Sequence, residues 1–488
     1  MKDFISVIKN ISTEEFIRFW GEVSIQIFKK DFRINDENVI RGTLRFPLKT
    51  RQGKAVPVMI TGWDIPDMTY TSICYSNDYR SEHMSYDNAA YITNLYRQFE
   101  NDRAGSEYLK DAEIQDAFKY LMGMTYEQFK FYNLAWALQN FSRNYHIMVA
   151  SNKIDRSKII KVEQIVWEQF QMELDELLAN QLIIIWLCSH HPDPLNAPEE
   201  MYNGKVSGIV TKQRMEKIID YYSASYQQIR DEKIGKQFFY SKPFVRTQKG
   251  KEQLMISIHL LIMVFADSLY WLERDYYKKH NMGLAFINEF GLMFEEYFNE
   301  LLEMYLSKDM WSKIPENSQK SADYYIEFDD AIFLIELKSG IMGITAKQQT
   351  PDISQIDNFY SRNILEAYDQ LVESEMVFRQ QNKPIIKMIL LYEFANNTQI
   401  MMASMPEIFE KDNNCYILTI ADLEMFLATY KMDQNKFRKV IHELLTRESK
   451  RYENESFLDI LNYHSAIGNL HFIEERDYLR HVLNKLKI

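Results

Sequence analysis

Ser321-Ala322-Asp323-Tyr324-Tyr325-Ile326-Glu327-Phe328-Asp329-Asp330-Ala331-Ile332-Phe333-Leu334-Ile335-Glu336-Leu337-Lys338-Ser339-Gly340 is the stretch on which the fold turns. Two runs rich in aromatic and β-branched residues flank the polar pair Asp329-Asp330, the pattern of a β-hairpin. A two-residue loop sets Asp323 opposite Glu336, with Cβ atoms about 4.5–5.5 Å apart. Lys338 shares their face, because side chains alternate along a strand. The other face reads Tyr324, Ile326, Phe328, Phe333, Ile335 and Leu337, apolar throughout and suited to packing on a helix.

Two carboxylates facing each other across a ladder repel. A hard divalent cation between them removes the conflict, and oxygen ligands at this spacing suit Mg2+, with Mn2+ as a substitute. Such an ion lowers the pKa of a bound water and stabilises charge on a phosphoryl oxygen. Lys338 beside it has three open roles: orienting the water, acting as a base, or neutralising charge that develops in the transition state. A plainer reading stands alongside, a solvated hairpin carrying a surface ion pair.

Outward from the hairpin, the chain alternates in type. A helical pattern at Ala285–Leu306 precedes it. A long helix at Ile353–Gln381, strands at Ile385–Phe394 and Cys415–Ile420, and a helix at Ala421–Tyr430 follow. This order predicts an α/β unit with a mixed sheet inside a chain that is α+β overall.

Asp323 followed by Glu336-Leu337-Lys338 resembles the signature of the restriction-endonuclease-like, PD-(D/E)XK, nuclease superfamily, with Ala322 standing where that pattern has Pro. Gly291-Leu292-Met293-Phe294-Glu295-Glu296-Tyr297-Phe298 resembles the leading helix of the family, and Ala367-Tyr368-Asp369-Gln370-Leu371 the helix after the catalytic strand. The resemblance covers Gly291 to about Phe394 and implies an αβββαβ core. It implies a Mg2+-dependent endonuclease with Asp323, Glu336 and the Leu337 carbonyl as metal ligands. Lys338, Glu295 and Gln370 complete the implied catalytic set, with Glu296 as the alternative to Glu295; both glutamates also read as the wet face of a helix. DNA ahead of RNA, a bacterial restriction or anti-phage defence setting, and a homo-oligomer or partner protein follow from the same resemblance. The rival from another class is a non-catalytic sensor or scaffold that uses a nuclease-like fold to bind a partner or nucleic acid.

The composition frames this. Of 488 residues 46% are hydrophobic and 26% charged, with only 15 Gly and 11 Pro, which describes folded structure with few flexible linkers. Cys74, Cys188 and Cys415 form no CxxC pair, so a disulfide framework or zinc knuckle is not expected and a reducing cytoplasm is. Met1-Lys2-Asp3-Phe4 opens no long apolar stretch, and Leu182–Cys188 is too short to cross a bilayer, so neither export nor a membrane role is expected. Cys188-Ser189-His190-His191-Pro192-Asp193 reads as a loop rather than a metal motif.

Net charge is −12, unlike a nucleic-acid binder taken whole. Residues 283–400 hold 19 acidic and 9 basic side chains, whereas 203–251 hold 11 basic and 4 acidic. The basic stretch is interleaved with Tyr221, Tyr222, Tyr226, Phe238, Phe239, Tyr240 and Phe244, which suits phosphate contact with base stacking. Lys233, Lys236, Arg246 and Lys249 are the nucleic-acid candidates; core packing explains the same aromatic spacing. Lys436, Arg438, Lys439, Arg447, Lys450 and Arg451 form a second basic cluster.

Four segments follow: 1–160, mixed α/β; 161–282, helical with a basic hairpin; 283–432, the nuclease-like domain; and 433–488, helical. In the first, Ser12-Thr13-Glu14-Glu15 opens a helix and Val39–Lys49 and Lys54–Thr61 flank a hairpin turn. Further helices are expected near Asp87–Phe99, Asp111–Met122 and Tyr126–Phe141. In the second, 161–189 is mostly helical, Lys242–Thr247 and Glu252–Ile258 form the hairpin, and a helix spans His259–Lys279.

Overall fold

A computed structural model describes the chain except residues 1–2, 34–40, 50–54, 108–116, 119–120, 122–133, 154, 156–158, 199, 201–207, 316–320, 342–352, 380–382, 393–397, 447–455, 467–477 and 486–488. Most of the helix expected near Asp111–Met122, residues 126–133 of the one expected at Tyr126–Phe141, the turn at 50–53, and Lys205, Arg447, Lys450 and Arg451 therefore lie outside the described residues.

The amino-terminal elements are α1 (Thr13–Arg33), the antiparallel strands β1 (Thr43–Lys49) and β2 (Ala55–Thr61), α2 (Asp64–Tyr75) and α3 (Tyr86–Glu107). Their core, with Phe16, Trp20, Ile60 and Ile92, is completed by residues far along the chain: Tyr226, Phe239, Leu254 and Leu260. Buried Asp78 ties the two parts together. It accepts from the Glu14 N–H (3.0 Å), the Tyr226 hydroxyl (2.6 Å) and the Gln248 and Lys249 N–H groups. Gly21 of α1 is needed for close approach, since a Cβ there would lie 2.9 Å from the Met255 carbonyl oxygen.

The second core begins at α4 (Leu134–Tyr145), α5 (Leu174–Cys188) and α6 (Lys212–Tyr221). A small sheet joins β3 (Ser223–Ser225), β4 (Phe244–Arg246) and β5 (Gln253–Met255); β4 and β5 are the second expected hairpin. The helix expected over His259–Lys279 is two, α7 (Ile258–Ala266) and α8 (Ser268–Lys279). The break falls at Asp267, which is buried and accepts from Asn140 (3.3 Å) and Asn144 (3.4 Å) of α4. A tertiary partner overrides continuous helical periodicity there.

The remaining chain forms a five-stranded mixed sheet. After α9 (Gly283–Tyr305) come β6 (Trp311–Lys313), β7 (Tyr324–Glu327) and β8 (Ile332–Lys338), an antiparallel meander. Then follow α10 (Ile353–Tyr360), a π-helical turn at Ser361–Leu365, and α11 (Glu366–Phe378). Strands β9 (Ile385–Leu391) and β10 (Cys415–Thr419) add in parallel to β8, giving the order β10-β9-β8-β7-β6. α12 (Ile420–Met432) and α13 (Gln434–Thr446) close the unit. The chain is thus mixed α/β with a mixed sheet, as its periodicities predict. The long helix expected over 353–381 carries a π turn where its register shifts.

Both sheet faces are covered. Tyr324, Ile326, Phe328, Phe333 and Ile335 are buried against α9 and α12, with Tyr324 packed on Phe298 (4.8 Å) and Phe333 on Phe426 (5.3 Å). The opposite face meets α11, whose Ala367 and Leu371 are buried. Arg143 of α4 reaches Glu424 of α12 with two bonds of 2.7 Å, and both side chains are 1% exposed. Among the described residues no helix is long and apolar enough to cross a membrane.

Candidate active site

The observed register, with Tyr324 opposite Ile335, is the one a two-residue Asp329-Asp330 loop dictates, and the Phe328 N–H closes that loop on the Ala331 carbonyl at 2.9 Å. Alternation then carries the buried face of Ile332 and Leu334 on to Glu336 and Lys338. Glu336 is only 2% exposed, a depth at which a carboxylate is rare without partners.

Lys338 Nζ donates to Glu336 Oε1 (2.9 Å) and to Gln370 Oε1 of α11 (3.3 Å). Gln370 Nε2 in turn donates to the Ser321 carbonyl (3.2 Å), and the Ala322 N–H donates to Ser374 Oγ (2.8 Å). α11 therefore positions the lysine and also pins the backbone immediately before Asp323. On the other side, the Tyr392 N–H at the end of β9 donates to the Lys338 carbonyl (3.0 Å).

Asp323 departs from the square pairing expected with Glu336. Its N–H bonds to the Ile335 carbonyl (3.0 Å), and its Oδ2 accepts from the Leu337 N–H (2.8 Å). Regular pairing ends at Tyr324, so the carboxylate is free to turn along β8. In extended backbone the N–H and C=O of one residue leave by the same edge. The Leu337 carbonyl thus faces the edge where Asp323 lies.

One oxygen of Glu336, Oε2, is buried with no hydrogen-bond partner, a costly state for an ionised group. Burial and then the nearby Asp323 charge push its carboxyl from 4.5 up to about 7, against the pull of Lys338. Burial also raises Asp323, the Leu337 N–H and Lys338 opposing it. Two acids with raised pKa values and an unpartnered oxygen form an oxygen donor set suited to a hard cation. Among the described residues no group of three or more His, Cys, Asp or Glu is placed to hold a metal ion.

Glu295 stands at the border of this group. Its Oε1 accepts from Lys313 of β6 and from the Tyr324 hydroxyl (2.9 Å), and its charge is among the causes that raise Asp323. Glu296 lies in the field of Lys153. The structure brings together Asp323, Glu336, Lys338 and Gln370, with Glu295 adjacent and engaged by Lys313 and Tyr324. Lys313 escaped the sequence reading because three residues are too few to show a strand's alternation.

The basic stretch needs correction. Lys236 is buried beside Asp64, whose raised carboxyl it pulls down, so it does not offer a surface charge. Arg246 is paired with Asp220 at 2.7 Å. Tyr222, Tyr226, Phe238, Phe239 and Phe244 are buried in the two cores and unavailable for stacking. Lys233 and Lys249 are exposed. Cys74, Cys188 and Cys415 are free thiols, and His190 and His191 lie exposed after α5, with His190 packed on Trp186.

The Glu336 shift has a measurable consequence. Between about 4.5 and about 7 the folded chain holds a proton that the unfolded chain releases, so metal-free stability falls as pH rises through that window. Glu336→Gln is expected to flatten this part of the Tm profile. A Mg2+ ion held by Glu336 would require the ionised form, so any stabilising shift in Tm that Mg2+ gives through this carboxylate should grow from about pH 6 to about pH 8. A Mg2+-induced shift independent of pH across that range would remove Glu336 from the ligand set.

No family model matches the chain, and no curated protein matches it.

Proposed function

We propose that the chain is a Mg2+-dependent nuclease of the PD-(D/E)XK kind, acting on DNA ahead of RNA, in a cytoplasmic restriction or anti-phage defence setting. The observation that carries this reading is the buried, unpartnered Glu336 Oε2 beside Asp323 and Lys338. The order helix, three antiparallel strands, helix, parallel strand supports it. Asp323, Glu336 and the Leu337 carbonyl would hold the ion. A bound Mg2+ would supply a water of lowered pKa and polarise a phosphoryl oxygen.

The chain's own residues do the rest. Lys338 uses two of its three donors on Glu336 and Gln370, leaving one for the attacking water or a phosphate oxygen. Gln370 fixes the lysine's position, and burial keeps the carboxylates from scattering into water-separated poses. Lys233 and Lys249 are the remaining candidates for phosphate contact within the basic stretch.

Purified protein is expected to cut or nick DNA with Mg2+ or Mn2+ and not with EDTA, read on gels with single-stranded, duplex and modified DNA and with RNA. The acidic excess of 19 over 9 in residues 283–400 favours the second reading, a non-catalytic scaffold with nuclease-like topology. Inactivity on every substrate, with a neighbour-encoded factor included, would decide for the scaffold.

A further inference from the structure

A cleft of about 220 Å³ opens between α6, the segment Tyr240–Lys242 and α8, apart from the candidate active site. Tyr221, Tyr240 and Trp271 line it, with the buried Tyr222 behind them. So do three cations, Lys242, Arg274 and Lys278, with one carboxylate, Asp275.

The cations are held in an unusual way. Lys242 is part-buried, donates to the Tyr221 carbonyl and sits 4.4 Å from the centroid of the Tyr221 ring. Arg274 lies 5.0 Å from the centroid of Trp271. Among the described residues none of the three cations has a carboxylate at ion-pair distance. Ring faces attract cations but do not cancel their charge. Asp275 opposes the Lys242 charge only from beyond ion-pair distance, so this half-buried ammonium keeps a desolvation cost that an incoming anion lowers. Burial accordingly lowers the pKa of Lys242.

Charge, shape and chemistry converge on one class of ligand. Three cations and one carboxylate leave a formal excess matching a phosphate monoester, which carries about −1.5 to −2 at pH 7. An aromatic lining suits a planar ring. The volume is below the about 300–1,000 Å³ of drug-sized pockets, so it admits one ring system with its anionic arm at the rim. Asp275 offers an acceptor for a ligand hydroxyl or amino group.

We propose that this cleft binds a nucleoside 5′-monophosphate, its base against Trp271 and Tyr221 and its phosphate among Lys242, Arg274 and Lys278. The proposal does not depend on nuclease activity, and its test is a binding measurement.

The whole chain is titrated with AMP and CMP by calorimetry in EDTA, which removes metal-assisted binding elsewhere. Adenosine and inorganic phosphate serve as half-ligands. At least one nucleotide should bind about tenfold or more tightly than either half-ligand, since ring and phosphate contacts each contribute. Trp271→Ala and Arg274→Gln should each weaken that binding about tenfold. Arg274 is half-buried and Lys278 exposed, so Arg274→Gln and Lys278→Gln keep the test open if Trp271→Ala folds poorly. Absence of nucleotide binding up to millimolar concentration overturns the proposal, as does binding that survives Arg274→Gln and Lys278→Gln together.

Discussion

Glu336→Ala protein should fold and should cut nucleic acid at least about a hundredfold more slowly than wild type, the scale on which a single transition-state contact is lost. The two halves of that expectation come from one feature. Glu336 is buried with an oxygen lacking a partner and a carboxyl pushed up to about 7, so in the metal-free chain it stabilises little. On the proposed reading, what it contributes is a metal ligand. Lys338→Ala should match the loss of activity, because Gln370 and Glu336 hold that ammonium beside the carboxylate pair. Single-turnover rates with urea unfolding on the same samples separate chemistry from folding. Near wild-type cutting by either variant would take that residue out of the mechanism.

Arg143→Met should cost about 3–5 kcal/mol in urea unfolding, the range for breaking a buried ion pair. Burial works against the Arg143 charge, and Glu424 more than offsets it, so its pKa is raised. The guanidinium also donates to Asn140 Oδ1 (2.8 Å), and Tyr297 of α9 donates to Glu424 Oε1 (2.7 Å). Removing the arginine leaves the buried Glu424 carboxylate with the Tyr297 hydroxyl as its one hydrogen-bond donor among the described residues. The double variant Arg143→Met/Glu424→Leu should recover most of the loss, because both charges go together. A single-variant cost below about 1 kcal/mol would show that solvent reaches the pair.

The hairpin was legible because period-two alternation, a two-residue polar loop and one polar face constrain each other. Asp323, Glu336 and Lys338 stand out, with Glu327, as the charges on one face of a strand pair whose other face is apolar, and Gln370 came with the family resemblance. Three things were not legible, each for a physical reason. β6 is three residues long, so Lys313 gave no periodic signal. Asp267 interrupts a helix through partners on α4, more than 120 residues earlier in the chain. Aromatic spacing between Tyr221 and Phe244 is the same for a stacking surface and for a core, and most of those rings are in the core.

The knot at Asp78 sets an order of events during synthesis. The amino-terminal core contains residues up to Tyr96, yet it is closed by Tyr226, Phe239, Leu254 and Met263. Until those emerge from the ribosome, Asp78 lacks the hydroxyl and amide donors of Tyr226, Gln248 and Lys249, and one side of Phe16 and Trp20 has nothing to pack on. At about 5–20 residues per second the intervening chain takes on the order of ten seconds or more to appear. A nascent chain stalled before Tyr226 therefore displays a greasy, unfinished half-core, which makes it a substrate for chaperones and a seed for aggregation.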